Sequence, residues 1–226
     1  MNIENIKKQF PIFNNKVHNN DLVYLDSANS SQKPQVVVDR IYDFYTKEFS
    51  NVGRSVHYLA VAATNLYEET RSLVQKYINA KDPNEIVFTK GATEAINLVA
   101  NTFGQKFLKE GDEIILTELE HHSNYVPWHY LRRSKGVQIK FAEINSEGEI
   151  SLESIEKLIT SKTKMIAITH LSNVTGAILP IKEITQLAHS KNIPILIDGC
   201  QGAPHLKLDM QEIGCDFYAI SCHKMY

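Results

Sequence analysis

From Lys164 to Gln201 the chain reads KMIAITHLSNVTGAILPIKEITQLAHSKNIPILIDGCQ. The stretch opens on one apolar, β-branched run, Lys164 to Thr169, and closes on another, Ile193 to Asp198, with the helical pattern Ile181 to Ser190 between them. Neither run alternates apolar with polar residues. Continuous runs such as Met165 to Thr169 and Ile195 to Ile197 suit strands covered by helices on both faces. The expected fold class is therefore α/β, with a mainly parallel sheet and flanking helices.

The same alternation extends outward. Glu85 to Thr89, Glu113 to Thr117, Gln138 to Ile144 and Asp216 to Ser221 are further candidate strands, and Glu94 to Phe103 and Leu152 to Thr160 are further helical patterns. Upstream, Thr64 to Ala80 reads as one amphipathic helix, with Leu66, Leu73, Val74 and Tyr77 along one side. No internal repeat, low-complexity tract or Gly/Pro/Ser-rich linker marks a domain boundary, so residues 1–226 are expected to form one domain.

Composition narrows the function classes. The 226 residues are 43% hydrophobic and carry 24 Lys+Arg against 26 Asp+Glu, a net charge of −2. With charges mixed along the chain, there is no basic stripe for nucleic acid and none for a membrane surface. No apolar run reaches the roughly 20 residues of a membrane span, and the N-terminus has no secretory apolar region, so a cytoplasmic protein is expected. The three cysteines, Cys200, Cys215 and Cys222, lack the paired spacings of zinc sites or disulfide frameworks and read as reduced thiols.

In an open α/β sheet ligands bind outside the carboxyl ends of the strands, which makes the residues after each run the informative ones. Gly91-Ala92-Thr93-Glu94 opens a helix whose first N–H groups could hold an anion, although Gly and Thr are also ordinary turn and cap residues. Glu120-His121-His122-Ser123-Asn124 puts two histidines at a strand end. Adjacent histidines suit one zinc ion poorly, which leaves a capping cluster or a ring that stacks on another ring. Asp198 ends an apolar strand, and burial there requires a partner: a backbone N–H, a helix N-terminus or a ring nitrogen that it keeps protonated. Lys224 follows an apolar strand between His223 and Met225, where partial desolvation and nearby cations would make its amine a nucleophile. Together these residues are the lysine, carboxylate, stacking ring and phosphate cradle that a pyridoxal 5'-phosphate (PLP) site needs.

At these residues the chain resembles the class V aminotransferase-like PLP enzymes, specifically the cysteine desulfurases of the SufS type, which overlap with selenocysteine lyases. The matching segments are Tyr24 to Ala28 with Gln32-Lys33-Pro34, Arg54 with His57, Gly91 to Ala100, His121 to Asn124 with Val126-Pro127-Trp128, His170 with Ser172-Asn173-Val174 and Gly176, Asp198-Gly199 with Gln201, and Asp216 to Tyr218 with Ser221, His223 and Lys224. The resemblance implies an aspartate aminotransferase-like (fold type I) large domain. In it Lys224 would carry PLP covalently and move the substrate Cα proton, and Asp198 would pair with the ring nitrogen. Gln201 and Asn173 would address the ring oxygen, and His121 would stack on the ring. Ala92, Thr93, Ser221 and His223 would hold the phosphate. Arg54, His57 and Asn97 are candidates for the substrate side.

Further implications are L-cysteine or L-selenocysteine as substrate, a homodimer, and a sulfur-acceptor protein that passes sulfur to iron–sulfur cluster assembly. Other members of the class, such as an epimerase or aminotransferase, are alternatives, as is a non-catalytic remnant of a split gene. The family continues far past the lysine. The chain is accordingly expected to be an incomplete PLP-binding domain, inactive alone, with residues of about 1–20 packing on a small domain supplied by the remainder. Cys200 stands where the family usually has Ala, Cys222 where it usually has Gly, and Gly53 precedes Arg54 where related enzymes often carry His. For both cysteines the expected role is that of a small apolar side chain.

Overall fold

The computed structural model describes residues 2–226. They gather into two compact units, one of residues up to Tyr77 with Asp82–Ile86 and Cys222–Tyr226, the other of Ile78–Lys81 and Val87–Ser221.

In the first unit, α1 (Ile3–Lys7) starts on Asn2, whose side chain accepts the Asn5 N–H. A hairpin follows in which β1 (Lys16–Val17) pairs antiparallel with β2 (Asn20–Asp21). Its two-residue turn, His18 and Asn19, has φ values of 50° and 65°, the left-handed pair whose twist matches that of the strands. Next come α2 (Gln35–Asp43), which widens into a π turn at Phe44–Glu48, and the long α3 (Tyr58–Tyr77). The helix expected at Thr64–Ala80 thus begins earlier. Nδ1 of His57 accepts the Ala60 N–H at 3.3 Å, a histidine cap that the usual Ser/Thr/Asp/Asn signal does not reveal. Large apolar side chains of this unit, among them Leu25 (91% exposed) and Val56 (93%), stand in solvent.

The second unit holds the sheet. Its elements are α4 (Ala92–Val99), which runs through a π turn at Ala100–Gly104 into α5 (Gln105–Phe107), then β3 (Glu113–Thr117), α6 (Val126–Lys135), β4 (Gln138–Ala142) and α7 (Leu152–Glu156). After them come β5 (Thr163–Thr169), α8 (Ile181–Ser190), β6 (Ile195–Asp198), α9 (Gly202–His205), α10 (Met210–Ile213) and β7 (Phe217–Ala219). The strands lie in the order β4-β3-β5-β6-β7 and every neighbouring pair is parallel.

Strand periodicity sorts the apolar runs into two cores. Ile115, Ile166, Ile168, Ile195 and Ile197 face one side with Ile181, Ile184 and Ala188 of α8. Ile114, Leu116, Met165, Ala167 and Leu196 face the other with Ile96 of α4 and Trp128 and Leu131 of α6. Both faces are covered, which is why these strands carry no polar alternation. Each buried Ile or Leu contributes about 1.5–3 kcal/mol relative to exposure, so the two helix layers hold the sheet.

Some expected boundaries shift for identifiable reasons. Glu85–Thr89 is not a strand: Pro83–Glu85 is a 3₁₀ turn capped by Asp82, and Ile86 is extended (φ −88°, ψ 117°) but has no ladder partner among the described residues. β-branched propensity extends a chain, but a strand needs a neighbour. β4 stops at Ala142 because the Ile144 N–H goes to the Glu118 carboxylate at 3.0 Å. β6 starts only after Pro194, which has no N–H to give to a ladder. Past Glu156 the α7 pattern tightens into i→i+3 bonds, Leu158 to Ile155 and Ile159 to Glu156.

From β3 the chain crosses to β4 on one side, and from β5 it crosses to β6 on the other. The carboxyl ends of β3 and β5 therefore flank the topological switch point, where doubly wound sheets open a crevice.

Candidate active site

The amino end of α4 offers N–H groups and neighbouring hydroxyls that could hold an anion. Gly91 precedes it with φ 153°, a conformation that side chains disfavour. The Ala92 N–H donates to Oγ of Ser221, just beyond β7, at 2.9 Å. The N–H groups of the first helical turn point out of this end, with the dipole behind them. The Thr93 hydroxyl lies 2.8 Å from Oγ of Ser123, and that oxygen lies 3.0 Å from Nδ1 of His121, which also accepts the Ser123 N–H. His121, Ser123, Thr93, Ala92 and Ser221 thus form one connected set, with the His121 imidazole exposed and its orientation fixed from behind. Asn97 is turned back along its helix, donating to the Thr93 carbonyl at 2.8 Å.

The strand ends carry the second set. Asp198, 3% exposed, sits in register with Thr169 of β5 and Ala219 of β7, and its Oδ1 accepts the Cys200 N–H at 3.0 Å. Its second oxygen is an acceptor suited to a protonated ring nitrogen. Gln201 is buried beside it in sequence, whereas Asn173 is exposed on the loop closed by the Leu171–Ile178 bridge.

Sequence reading passed over Glu120. Its carboxylate accepts the Thr117 hydroxyl (2.6 Å), the Thr169 N–H (2.9 Å) and the Asn124 amide (2.7 Å), which ties the ends of β3 and β5 together at the switch point. Although the residue keeps some exposure, its carboxyl is enclosed. Burial outweighs the three hydrogen bonds and pushes its pKa up to about 8, with the Asp198 charge acting in the same direction. Asn124 in turn accepts the Nε1–H of buried Trp128 at 3.1 Å. A charged residue in an otherwise polar turn gives no sequence signal of burial.

A second pair passed over is His170 with Tyr218, whose ring nitrogen Nδ1 and hydroxyl are 2.7 Å apart. Burial pushes the His170 imidazole down to about 4 and the Tyr218 phenol up, which keeps both neutral at ordinary pH.

The remaining candidates lie in the first unit. Lys224 is half-buried in a 3₁₀ turn, Cys222–Lys224, with His223 exposed beside it. Arg54 and His57 are exposed, and the His57 ring caps α3. Among the described residues no group of three or more His, Cys, Asp or Glu side chains could hold a metal ion, and no helix is long and apolar enough to cross a membrane.

The fold is that of the PLP-dependent transferases of the aspartate aminotransferase-like type, fold type I. Residues 23–226 match the family model described as aminotransferase class-V, and the chain belongs to that family, a family of PLP enzymes. Over 225 residues it is 48% identical to a probable cysteine desulfurase of Halalkalibacterium halodurans, covering 100% of this chain and 55% of that protein. It is 44% identical to a cysteine desulfurase of Serratia proteamaculans, covering 99% and 55%. Among solved structures, the cysteine desulfurase CsdA of Escherichia coli superposes with a TM-score of 0.86 at 36% identity, covering 99% of this chain and 55% of that one. The apo cysteine desulfurase of Thermococcus onnurineus gives 0.90 at 36% identity, covering 98% and 53%. The chain thus spans about half the length of the relatives it matches.

Proposed function

We propose that this chain supplies the cofactor-binding half of a PLP-dependent cysteine desulfurase, which converts L-cysteine to L-alanine and passes the sulfur to an acceptor cysteine for iron–sulfur cluster assembly. The observation that carries the reading is the anion cradle of α4, Thr93 and Ser221, formed in the same sheet whose β6 ends in the buried carboxylate of Asp198. That donor set fits PLP: N–H groups and hydroxyls for a phosphate, a buried acceptor for a ring N–H, an oriented imidazole for the ring face, and a lysine three positions past Ser221.

In this reading Ala92, Thr93, Ser221 and His223 bind the phosphate, and Asp198 holds the proton on the ring nitrogen. Gln201 and Asn173 bind the ring oxygen, and His121 covers the ring face. When bound, PLP supplies the electron sink that makes the substrate Cα proton removable. Lys224 holds the cofactor and moves that proton. Arg54, His57 and Asn97 belong to the substrate side. Residues 1–226 form one PLP-binding domain, in which about 1–20 pack on a small domain contributed by the second half of such proteins; the exposed apolar side chains of Ile3, Ile6 and Val17 support this. The working form is a cytoplasmic homodimer with a sulfur-acceptor protein as partner, and the 226 residues alone do not turn over.

Borohydride trapping tests the reading. After incubation with PLP and reduction, the mass increase should map to Lys224 and vanish in Lys224→Ala. An adduct of equal yield elsewhere in that variant overturns the assignment.

A further inference from the structure

Within the first unit the peptide that precedes Lys224 is held by three donors. The carbonyl oxygen of His223 accepts the Ser31 N–H (3.2 Å), the Ser31 hydroxyl (3.1 Å) and the Lys33 ammonium (2.9 Å). Lys33 Nζ also donates to Oγ of Ser31 at 3.0 Å, and that oxygen accepts the Tyr226 N–H at 2.8 Å. The Ser31 hydroxyl therefore uses its one donor and both lone pairs, all on the two sides of Lys224 or on Lys33. Ser31 is 4% exposed and Lys33 half-buried. The loop that carries them is anchored at its other end, where the Tyr24 hydroxyl donates to the Ser30 carbonyl at 2.6 Å, and Pro34, itself extended before α2, disfavours a helical turn at Lys33.

The carbonyl that takes all three donors is the one that belongs to the Lys224 peptide. A peptide unit is planar, so fixing the His223 oxygen fixes the Lys224 nitrogen and Cα, and the Tyr226 N–H held by Ser31 on the far side limits the rotation about Lys224 that sets where its side chain leaves the backbone. We propose that Lys33 and Ser31 are positioning residues for Lys224, clamping the peptide plane from which the cofactor-carrying side chain departs. The proposal rests on the reading of Lys224 above and adds a charge-assisted clamp to it.

The test uses the whole chain with PLP as the probe, and reads the initial rate of borohydride-trapped labelling at each lysine by peptide mass spectrometry. Lys33→Met should slow labelling of Lys224 about tenfold, the scale of a lost hydrogen bond to a charged group. Labelling of exposed lysines such as Lys47 and Lys157 should stay unchanged. Lys33→Arg, which keeps the cation and its donors, should restore most of the Lys224 rate, a rescue that a general loss of stability would not give. Ser31→Ala, which deletes the hydroxyl but not its N–H, should also slow Lys224 selectively. Wild-type labelling of Lys224 in both Lys33→Met and Ser31→Ala overturns the clamp and leaves the cofactor reading standing. Absence of any preference for Lys224 in the unaltered chain overturns both.

Discussion

The His170 imidazole and the Tyr218 hydroxyl meet 2.7 Å apart across the end of β6, and two glycines make room for them. A Cβ on Gly199 would collide with the Tyr218 ring, and a Cβ on Gly202 would collide with His170 Nδ1 and the Tyr218 hydroxyl. Those glycines flank Cys200 and Gln201 directly after Asp198, so the pair and the glycines interlock at the turn that follows the carboxylate.

Tyr218→Phe should therefore cost about 1–3 kcal/mol, the price of leaving a buried ring nitrogen without its partner. Gly199→Ala should cost at least as much, because the methyl meets ring carbons that are held on β7. Urea denaturation of both variants is the measurement. A Gly199→Ala midpoint equal to that of the unaltered chain would show that the strand ends yield, contrary to the interlock.

How much of this the sequence could show depends on range. The strand Glu113–Thr117 and the helix Ile181–Ser190 were legible to the residue, because a fully buried run or an amphipathic period records its own environment. The strand expected at Glu85–Thr89 failed because pairing is a property of two segments and only one was in view. The same limit applies at the site. Asp198 was legible as a polar residue at a strand end and His121 as one shortly after β3, while Thr93, expected after a strand at Glu85–Thr89, lies in the first turn of α4 with no strand before it; His170 with Tyr218, Glu120 with Thr169, and Lys33 with His223 join residues far apart in the chain. Local pattern carries no information about such pairs.

Glu120 sets a pH dependence of stability. Its folded pKa, about 8, lies above the ordinary carboxyl value of 4.5, so its favourable contribution is complete below pH 4.5 and is lost as pH rises through 8. His170 acts in the opposite sense: its folded value of about 4 lies below the usual 6.5, and its contribution is complete above pH 6.5 and lost as pH falls through 4. Glu120→Gln removes the first dependence. Because the Gln amide would face the Asn124 amide, Asn124 must turn and Trp128 lose its acceptor, at a cost of about 1 kcal/mol at every pH. Relative to the unaltered chain the variant should gain on the order of 2–4 kcal/mol between pH 5 and pH 8, read from urea midpoints. Parallel stability curves across that range would rule out a desolvated Glu120 carboxyl.

Asp198 should matter to the cofactor's ring nitrogen and not to its attachment. Asp198→Asn keeps the shape of the strand end and an oxygen to accept the Cys200 N–H, but it removes the charge that stabilises a protonated ring. Labelling of Lys224 by PLP should persist, while the nitrogen NMR signal of isotopically labelled PLP should move from the protonated to the unprotonated position. Turnover with the second half of the proposed enzyme supplied should fall about a hundredfold or more. A ring nitrogen still protonated in the variant would remove Asp198 from the role proposed for it.

The last prediction is that the 226 residues alone release neither alanine nor sulfide from L-cysteine above background. The reaction needs a thiolate that can reach the substrate sulfur, and the placement of the three cysteines argues against each. Cys215 lies before β7, at the amino end of the strand and so away from the carboxyl end of the sheet that carries Asp198. Burial pushes its thiol up to about 12, which leaves it protonated at working pH. Cys200 is partly buried against the core that contains Trp128 and Leu196, and the loop after Asp198 holds its backbone. Cys222 is exposed, but it sits in sequence between Ser221 and His223, which the proposed function gives to the phosphate and so to the end of the cofactor away from the substrate. A sulfur-accepting thiol has to sweep from the substrate to a partner, and a residue in the same 3₁₀ turn as Lys224 has no such reach. The assay is alanine and sulfide release from L-cysteine with PLP and a reductant. Release well above background that disappears in Cys222→Ser or Cys200→Ser would place the nucleophile in this half after all, and the proposed division of labour between the two halves would be wrong.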